Sequence, residues 1–152
     1  MKIITQNKKA RFDYDVLEVL EAGIVLTGDE VKSLRAGHVN LTGSFANVHR
    51  GELFLVNCHI TPYEKAFRKD EEAATRSRKL LIHKRELNRL VGDISKKGLT
   101  LVPLKLYFNS RSRIKVEIGL CKHRKAGEKK QALKEKDIRR QTEKELKDVY
   151  RY

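Results

Sequence analysis

Two stretches late in the sequence, GLTLVPLKLYF at 98–108 and RIKVEIGLC at 113–121, leave this chain little freedom in its choice of fold. Ile114, Val116, Ile118 and Leu120 alternate with Lys115 and Glu117, the period-two signature of an antiparallel strand with one buried face. In the stretch before it, Leu99 and Leu101 fall on odd numbers, whereas Leu104, Leu106 and Phe108 fall on even ones. Pro103 stands at the change of parity, so a bulge or bend is expected there. A turn at 109–112 then joins two long strands.

Upstream, YDVLEVLEAGIVL at 14–26 suggests two short strands broken at Ala22 and Gly23. Neither parity is cleanly apolar, which fits an edge or rim strand. DEVKSLRAG at 29–37 has two turns of helical spacing, with Val31 and Leu34 on one side, Lys32 and Arg35 on a neighbouring one, and Gly37 as a stop. FANVHRGELFLVNCHI at 45–60 is a hairpin turning near Arg50 and Gly51. The polar, aperiodic residues 61–79 predict a mobile loop ending in the basic triplet Arg76, Arg78 and Lys79. The clearest helix is 84–97, where Leu87, Leu90, Val91 and Ile94 share a face and Gly98 supplies the left-handed stop. The expected class is mainly β with embedded helices, an OB-like antiparallel β-barrel at 1–121.

Residues 122–152 obey different physics. They hold 12 Lys and Arg against 6 Asp and Glu, and Leu133, Ile138, Leu146 and Val149 are too sparse to form a packed face. Good helix formers dominate from Gln131 onward, and Glu135 with Arg139 and Glu143 with Lys147 are favourable i, i+4 pairs. Each contributes only about 0.2–0.5 kcal/mol, too little for an isolated helix. This basic C-terminal tail is expected to be disordered alone and helical when an anionic surface binds it.

The whole chain of 152 residues carries a net charge of +14, from 34 Lys and Arg against 20 Asp and Glu. A balance so basic points to nucleic acid or an anionic membrane, but the longest apolar runs fall far short of the roughly 20 residues that span a bilayer. MKIITQNKKAR turns cationic before an apolar signal region could form, so a cytoplasmic protein is expected. Cys58 and Cys121 make no disulfide framework, and beside His59 and His123 they lack the paired spacing that tetrahedral zinc requires. No metal or other cofactor is expected.

Catalytic signatures are missing as well. There is no G-x-G-x-x-G, P-loop, H-E-x-x-H or G-x-S-x-G, and the five histidines are scattered. Asp13 with Asp15 and Asp29 with Glu30 are the nearest carboxylate pairs, better suited to capping and solubility than to a metal-dependent nuclease. Binding is the stronger expectation, carried by Lys8, Lys9 and Arg11, by Lys32 and Arg35, by Arg76, Arg78 and Lys79, by Lys84 and Arg85, and by the tail. Phe12, Tyr14, Tyr63 and Phe67 lie near these clusters and can stack on bases, which favours RNA over duplex DNA. A structural protein of the ribosome would share these features; sedimentation separates the two, since a factor is present on ribosomes in substoichiometric amount.

Particular strings go further than composition. NKKARFDY at 7–14, EAGIVLTGDEVKSLRAG at 21–37, HITPYEKA at 59–66, RKLLIHKREL at 78–87 and GLTLVPLKLYF at 98–108 resemble the small protein B family, the SsrA-binding proteins. The resemblance implies an OB-like barrel that binds the tRNA-like domain of transfer-messenger RNA and serves trans-translation on stalled ribosomes, without catalysis. It implies indirect partnership, through the RNA, with elongation factor Tu and alanyl-tRNA synthetase, and a monomer is expected. RNA contacts are implied at Asn7, Glu21 and Leu81; Lys9, Arg11, Lys32, Ser33, Arg35 and Arg78 are added on charge and proximity. Without the resemblance, Leu81 would be assigned to the core and Glu21 to a solvated strand end.

For the tail, the resemblance implies a seat in the small-subunit decoding site and the message channel. The residues that fall to it are Lys122, His123, Arg124, Lys125, Glu128, Lys129, Lys130, Leu133 and Lys134. KHRKAGEKK at 122–130 departs from the family's KGKK and D-K-R strings: His123 replaces a glycine, Gly127 replaces an aromatic or His, and Glu128-Lys129-Lys130 stands for D-K-R.

Overall fold

The computed structural model describes residues 1–125. The tail positions Glu128, Lys129, Lys130, Leu133 and Lys134, and the expected tail helix, lie outside the described residues. Nine strands and four helices follow one another in the described part: β1 Lys2–Gln6, α1 Lys8–Asp13, β2 Tyr14–Ile24, α2 Gly28–Arg35, β3 Val39–Asn40, β4 Phe45–His49, β5 Glu52–Val56, β6 His59–Ile60, α3 Glu71–Ala74, β7 Arg78–Leu81, α4 Lys84–Lys97, β8 Thr100–Phe108 and β9 Ile114–His123.

The ladder hydrogen bonding runs in a ring. β8 pairs with β4, β4 with β5, β5 with β7, β7 with β2, β2 with β9, and β9 again with β8, all antiparallel; β1 adds to β8, while β3 and β6 pair separately. The inward side chains Leu20, Leu53, Leu55, Leu101, Leu106, Val116 and Ile118 make the main core. α4 adds Leu87 and Leu90 to it, each burial contributing about 1.5–3 kcal/mol. Gly98 ends α4 at φ +62°, the left-handed conformation expected of it. Arg50 and Gly51, both at positive φ, make the tight β4–β5 turn.

Two register shifts explain the mixed parities. In β8 the shift falls between Pro103 and Lys105, at the expected proline, and Leu104 is turned into a small second cluster with Ala10, Val102 and Cys121 beneath α1. In β2 the shift falls between Val16 and Glu18, so Val16 packs against that outer cluster while Leu20 and Ala22 point inward. This corrects the expectation of two short rim strands: β2 is one continuous strand of 11 residues, bonded to β9 on one side and β7 on the other. The bulge scrambled its alternation, and tight pairing of Gly23 with Leu81 and Lys115 carries the strand through the supposed break. β1 and α1 were not foreseen, and residues 61–79 contain the short helix α3 and the start of β7 as well as loop.

Arg78 joins several of these pieces. Its side chain has no exposed surface, and it donates to Glu30 Oε2, to the Cys58 carbonyl at 2.7 Å and to the Ala74 carbonyl at 3.0 Å. Glu30 also accepts from Arg76 and from the Thr27 amide of its own capping box. Burial works to raise the Glu30 pKa, but the hydrogen bonds from Arg76, the Thr27 backbone and Arg78 outweigh it and hold the carboxyl below its ordinary 4.5. Glu30 therefore stabilises the fold fully above about pH 4.5, and that contribution fades as pH falls through the lower folded value. Arg78→Met should lower the unfolding free energy by about 3–5 kcal/mol, since it takes one of two arginines from the buried Glu30 and leaves the Cys58 and Ala74 carbonyls without that donor. In urea titrations the acid-induced loss of stability below about pH 4.5 should also be smaller than in the wild type, because losing the Arg78 bond raises the folded-state pKa of Glu30 toward its unfolded value.

Candidate nucleic-acid interface

The outward faces of β7, β2, β9 and β8 carry Leu81, Glu21, Lys115 with Glu117, and Lys105. Glu21 lies directly opposite Glu117 across the β2–β9 ladder, Glu117 opposite Lys105 in β8, and Gly23 opposite both Leu81 and Lys115. Their neighbours Ala22, Val116 and Leu106 point into the core, so these residues share the opposite side of the sheet. α1 places Arg11 at its edge, 3.6 Å from Glu117, and Lys105 is 3.7 Å from the same oxygen. The structure thus brings Arg11, Glu21 and Leu81 onto one surface.

That surface has two carboxylates at its centre despite the chain's basic balance. The Tyr107 hydroxyl donates to Glu21, and Tyr107 is otherwise buried under its neighbours, with the Lys105 ammonium 5.7 Å from its ring centre. Burial first, then the bond to Glu21, pushes the Tyr107 pKa upward, so the phenol keeps its proton and holds the carboxylate in place. Glu117 sits between Arg11 and Lys105 without a hydrogen-bond donor on its buried oxygen, so its contribution is the charge it sets against two cations. Leu81 is 51% exposed, a large apolar side chain left in water beside this polar cluster.

Other expected contacts play different parts. Asn7 is buried: its amide donates to the Leu41 and Pro103 carbonyls, and its Oδ1 caps α1 by accepting from the Ala10 amide. Its place is beneath α1, where it sets the position of Lys9 and Arg11, both exposed. Ser33 is buried on the inner side of α2, while Lys32 and Arg35 remain exposed and the Lys32 ammonium lies 4.8 Å above the Tyr63 ring. Arg78 departs from its expected role, because strand alternation turns it and Leu80 inward and leaves Lys79 and Leu81 outside. Its guanidinium is consumed by internal acceptors.

The first tail residues belong to the sheet. β9 continues through Lys122 and His123, opposite Asp15 and Tyr14, and the His123 ring meets Tyr14 edge-on at 5.1 Å. Arg124 bonds the Asp13 carbonyl through its amide at 3.0 Å and Asp15 through its side chain at 3.3 Å. Lys125 is exposed. Both cysteines are fully buried, and desolvation pushes each thiol up to about 11. Among the described residues no group of three or more His, Cys, Asp or Glu gathers as a metal site would require, and no helix is long and apolar enough to cross a membrane.

The two kinds of position separate experimentally. Asn7→Ala should cost about 1–3 kcal/mol in urea unfolding without any RNA present, because it orphans buried partners. Leu81→Ala should leave the unfolding midpoint almost unchanged, since the side chain is half in water. An unaltered midpoint for Asn7→Ala would return that residue to a purely contacting role.

Comparison with known proteins gives this geometry a family. The family model described as SmpB protein matches residues 4–148. An SsrA-binding protein of Coprothermobacter proteolyticus is 49% identical over 150 residues, covering 99% of this chain and 100% of the relative. One from Thermus thermophilus is 52% identical over 143 residues, covering 94% and 99%. A chain from a solved structure of tmRNA–SmpB in the bacterial ribosome superposes with a TM-score of 0.65 at 56% identity, covering 80% of this chain and 85% of that one. With the match spanning nearly every residue of both partners, this chain belongs to the SmpB family of SsrA-binding proteins.

Proposed function

We propose that this protein binds the tRNA-like domain of transfer-messenger RNA and carries it to stalled ribosomes in trans-translation. The observation that carries the reading is the near-full-length match to SsrA-binding proteins. The ring of strands plugged by α4 is an OB-like barrel in this reading, an architecture that lends its outer strands and loops to oligonucleotides. Arg11, Lys9, Lys32 and Arg35 contact phosphates, so affinity falls steeply with added salt. Glu21, held by Tyr107, accepts hydrogen bonds from base or 2′-hydroxyl donors, which phosphates cannot supply, and Leu81 packs on an unstacked base. Asn7 acts from below, by fixing α1.

Residues 122–152 are the second functional unit. Their excess of cations and lack of a packing face suit them to ribosomal RNA, folding in the decoding site and message channel of the small subunit. Elongation factor Tu and alanyl-tRNA synthetase are met through the RNA, and the protein acts as a non-catalytic cytoplasmic monomer. Because β9 runs through His123 and Arg124 bonds Asp13, the natural place to divide the chain is after Lys125. Deleting residues 126–152 should leave affinity for the tRNA-like RNA largely intact in filter binding while abolishing peptide tagging on stalled ribosomes. A large loss of RNA affinity would overturn this division of labour. Sequencing the RNA that co-purifies with the full chain tests the reading as a whole: one RNA of tRNA-like shape is expected, and a bulk mixture of ribosomal RNAs would refute it.

A further inference from the structure

Beside Leu81 lies an open cleft of about 400 Å³ whose chemistry differs from that of the hollow between α2 and Tyr63. Arg35 of α2, Arg113 just ahead of β9 and Lys115 within it line the cleft, together with the apolar Ile24, Leu81 and Phe108. No carboxylate lines it, and among the described residues none of these three cationic side chains has a hydrogen-bond or ion-pair partner. The hollow between α2 and Tyr63 is the contrast: it is lined by Asp29, Glu30 and Glu72 as well as Arg68 and Arg76, and both of those arginines are paired internally. Three unneutralised cations around an apolar floor leave an electrostatic debt that an anion carrying a flat apolar group would settle.

The cleft is also built to hold its shape. Asn109 locks the β8–β9 turn, with Oδ1 accepting from the Arg111 and Arg113 amides at 3.0 and 2.9 Å and its own amide donating to the Arg113 carbonyl at 2.9 Å. Arg113 therefore springs from a fixed backbone. On the other wall, a Cβ at Gly23 would lie 3.3 Å from Leu81 Cβ and 3.7 Å from Lys115 Nζ. The bare backbone there lets the apolar side chain and the ammonium converge.

We propose that this cleft is a nucleotide subsite: one unstacked RNA base rests on Leu81, Ile24 and Phe108, and the adjoining phosphodiester sits among Arg35, Arg113 and Lys115. Its volume lies in the range of about 300–1,000 Å³ typical of small-ligand sites. The inference rests on the RNA-binding reading above and extends it, by adding Arg113 and Lys115 as binding residues and by naming what Leu81 and Arg35 hold together. Base stacking on an apolar platform and phosphate pairing with free cations are the two terms by which single-stranded segments bind.

The test uses the full chain and the tRNA-like RNA. Arg113→Ala/Lys115→Ala should bind on the order of tenfold more weakly, with the slope of log affinity against log salt shallower by about 1.4, or ~0.7 per lost contact to unpaired RNA. Its thermal midpoint should be unchanged, since neither side chain has a partner among the described residues. Lys96→Ala/Lys97→Ala, at the far end of α4, removes the same charge and should keep the wild-type slope. Equal affinities and slopes for the two double variants would overturn the subsite. Should the wild type not bind this RNA at all, the RNA reading fails by itself, and the cleft is decided by titrating adenosine 5′-monophosphate while following amide shifts. Shifts centred on Ile24 and Leu81 and lost in Arg113→Ala/Lys115→Ala sustain it; their absence, or stronger shifts with a poly-glutamate peptide, overturns it.

Discussion

The guanidinium of Arg78, sealed inside the protein, is the tie on which the proposed binding surface depends. It reaches Glu30 in α2, the Cys58 carbonyl ahead of β6 and the Ala74 carbonyl at the end of α3, while its own backbone pairs β7 with β5. Arginine suits this position because its planar fork of donors satisfies several acceptors at once and stays charged when buried. The same tie decides where Lys32 and Arg35 stand relative to Leu81, three residues beyond Arg78 in β7. A buried ion pair is weak evidence of net stabilisation, but it fixes geometry strongly, since any other arrangement leaves charge unpaired in the interior.

Around that anchor the surface is a mosaic. Its carboxylates, Glu21 and Glu117, are held by Tyr107, Arg11 and Lys105, while Arg35, Arg113 and Lys115 stand free at one side around an apolar floor. Charge is largely balanced within the first region, while the second keeps cations that no carboxylate among the described residues neutralises. In the proposed reading, a folded RNA that meets this face would be oriented by the uneven spread of charge, which a uniformly basic patch could not do. The sheet leads into the tail through His123 against Tyr14 and Arg124 against Asp13 and Asp15.

Much of the fold was legible in the sequence wherever the signal was local. The limits of α4, its glycine stop, the hairpin turn at Arg50 and Gly51 and the bulge beside Pro103 each follow from spacing or backbone preference within a few residues. The candidate site was less legible. Arg78 and Leu81 were assigned by residue type, a cation outside and, without the family likeness, a leucine inside, yet the strand reverses both. Alternation along RKLL contains the needed signal, since Arg78 must share a face with Leu80; the run of two leucines concealed which one faced the core. Asn7 likewise has the chemistry of an RNA contact, and only the fold shows its amide spent on Leu41 and Pro103.

The sequence by itself determined a β-rich unit with one strong helix, a strongly cationic balance and a C-terminal segment too poor in apolar residues to build a core. These are properties of composition and short-range period, and they survive any arrangement of the strands. Tertiary structure alone decided which carboxylates oppose one another, which arginine is buried and which cations are left without partners. Those outcomes turn on register, and each one-residue shift, at Leu17 in β2 and at Leu104 in β8, exchanges the two faces of a strand for reasons that reside in its partners.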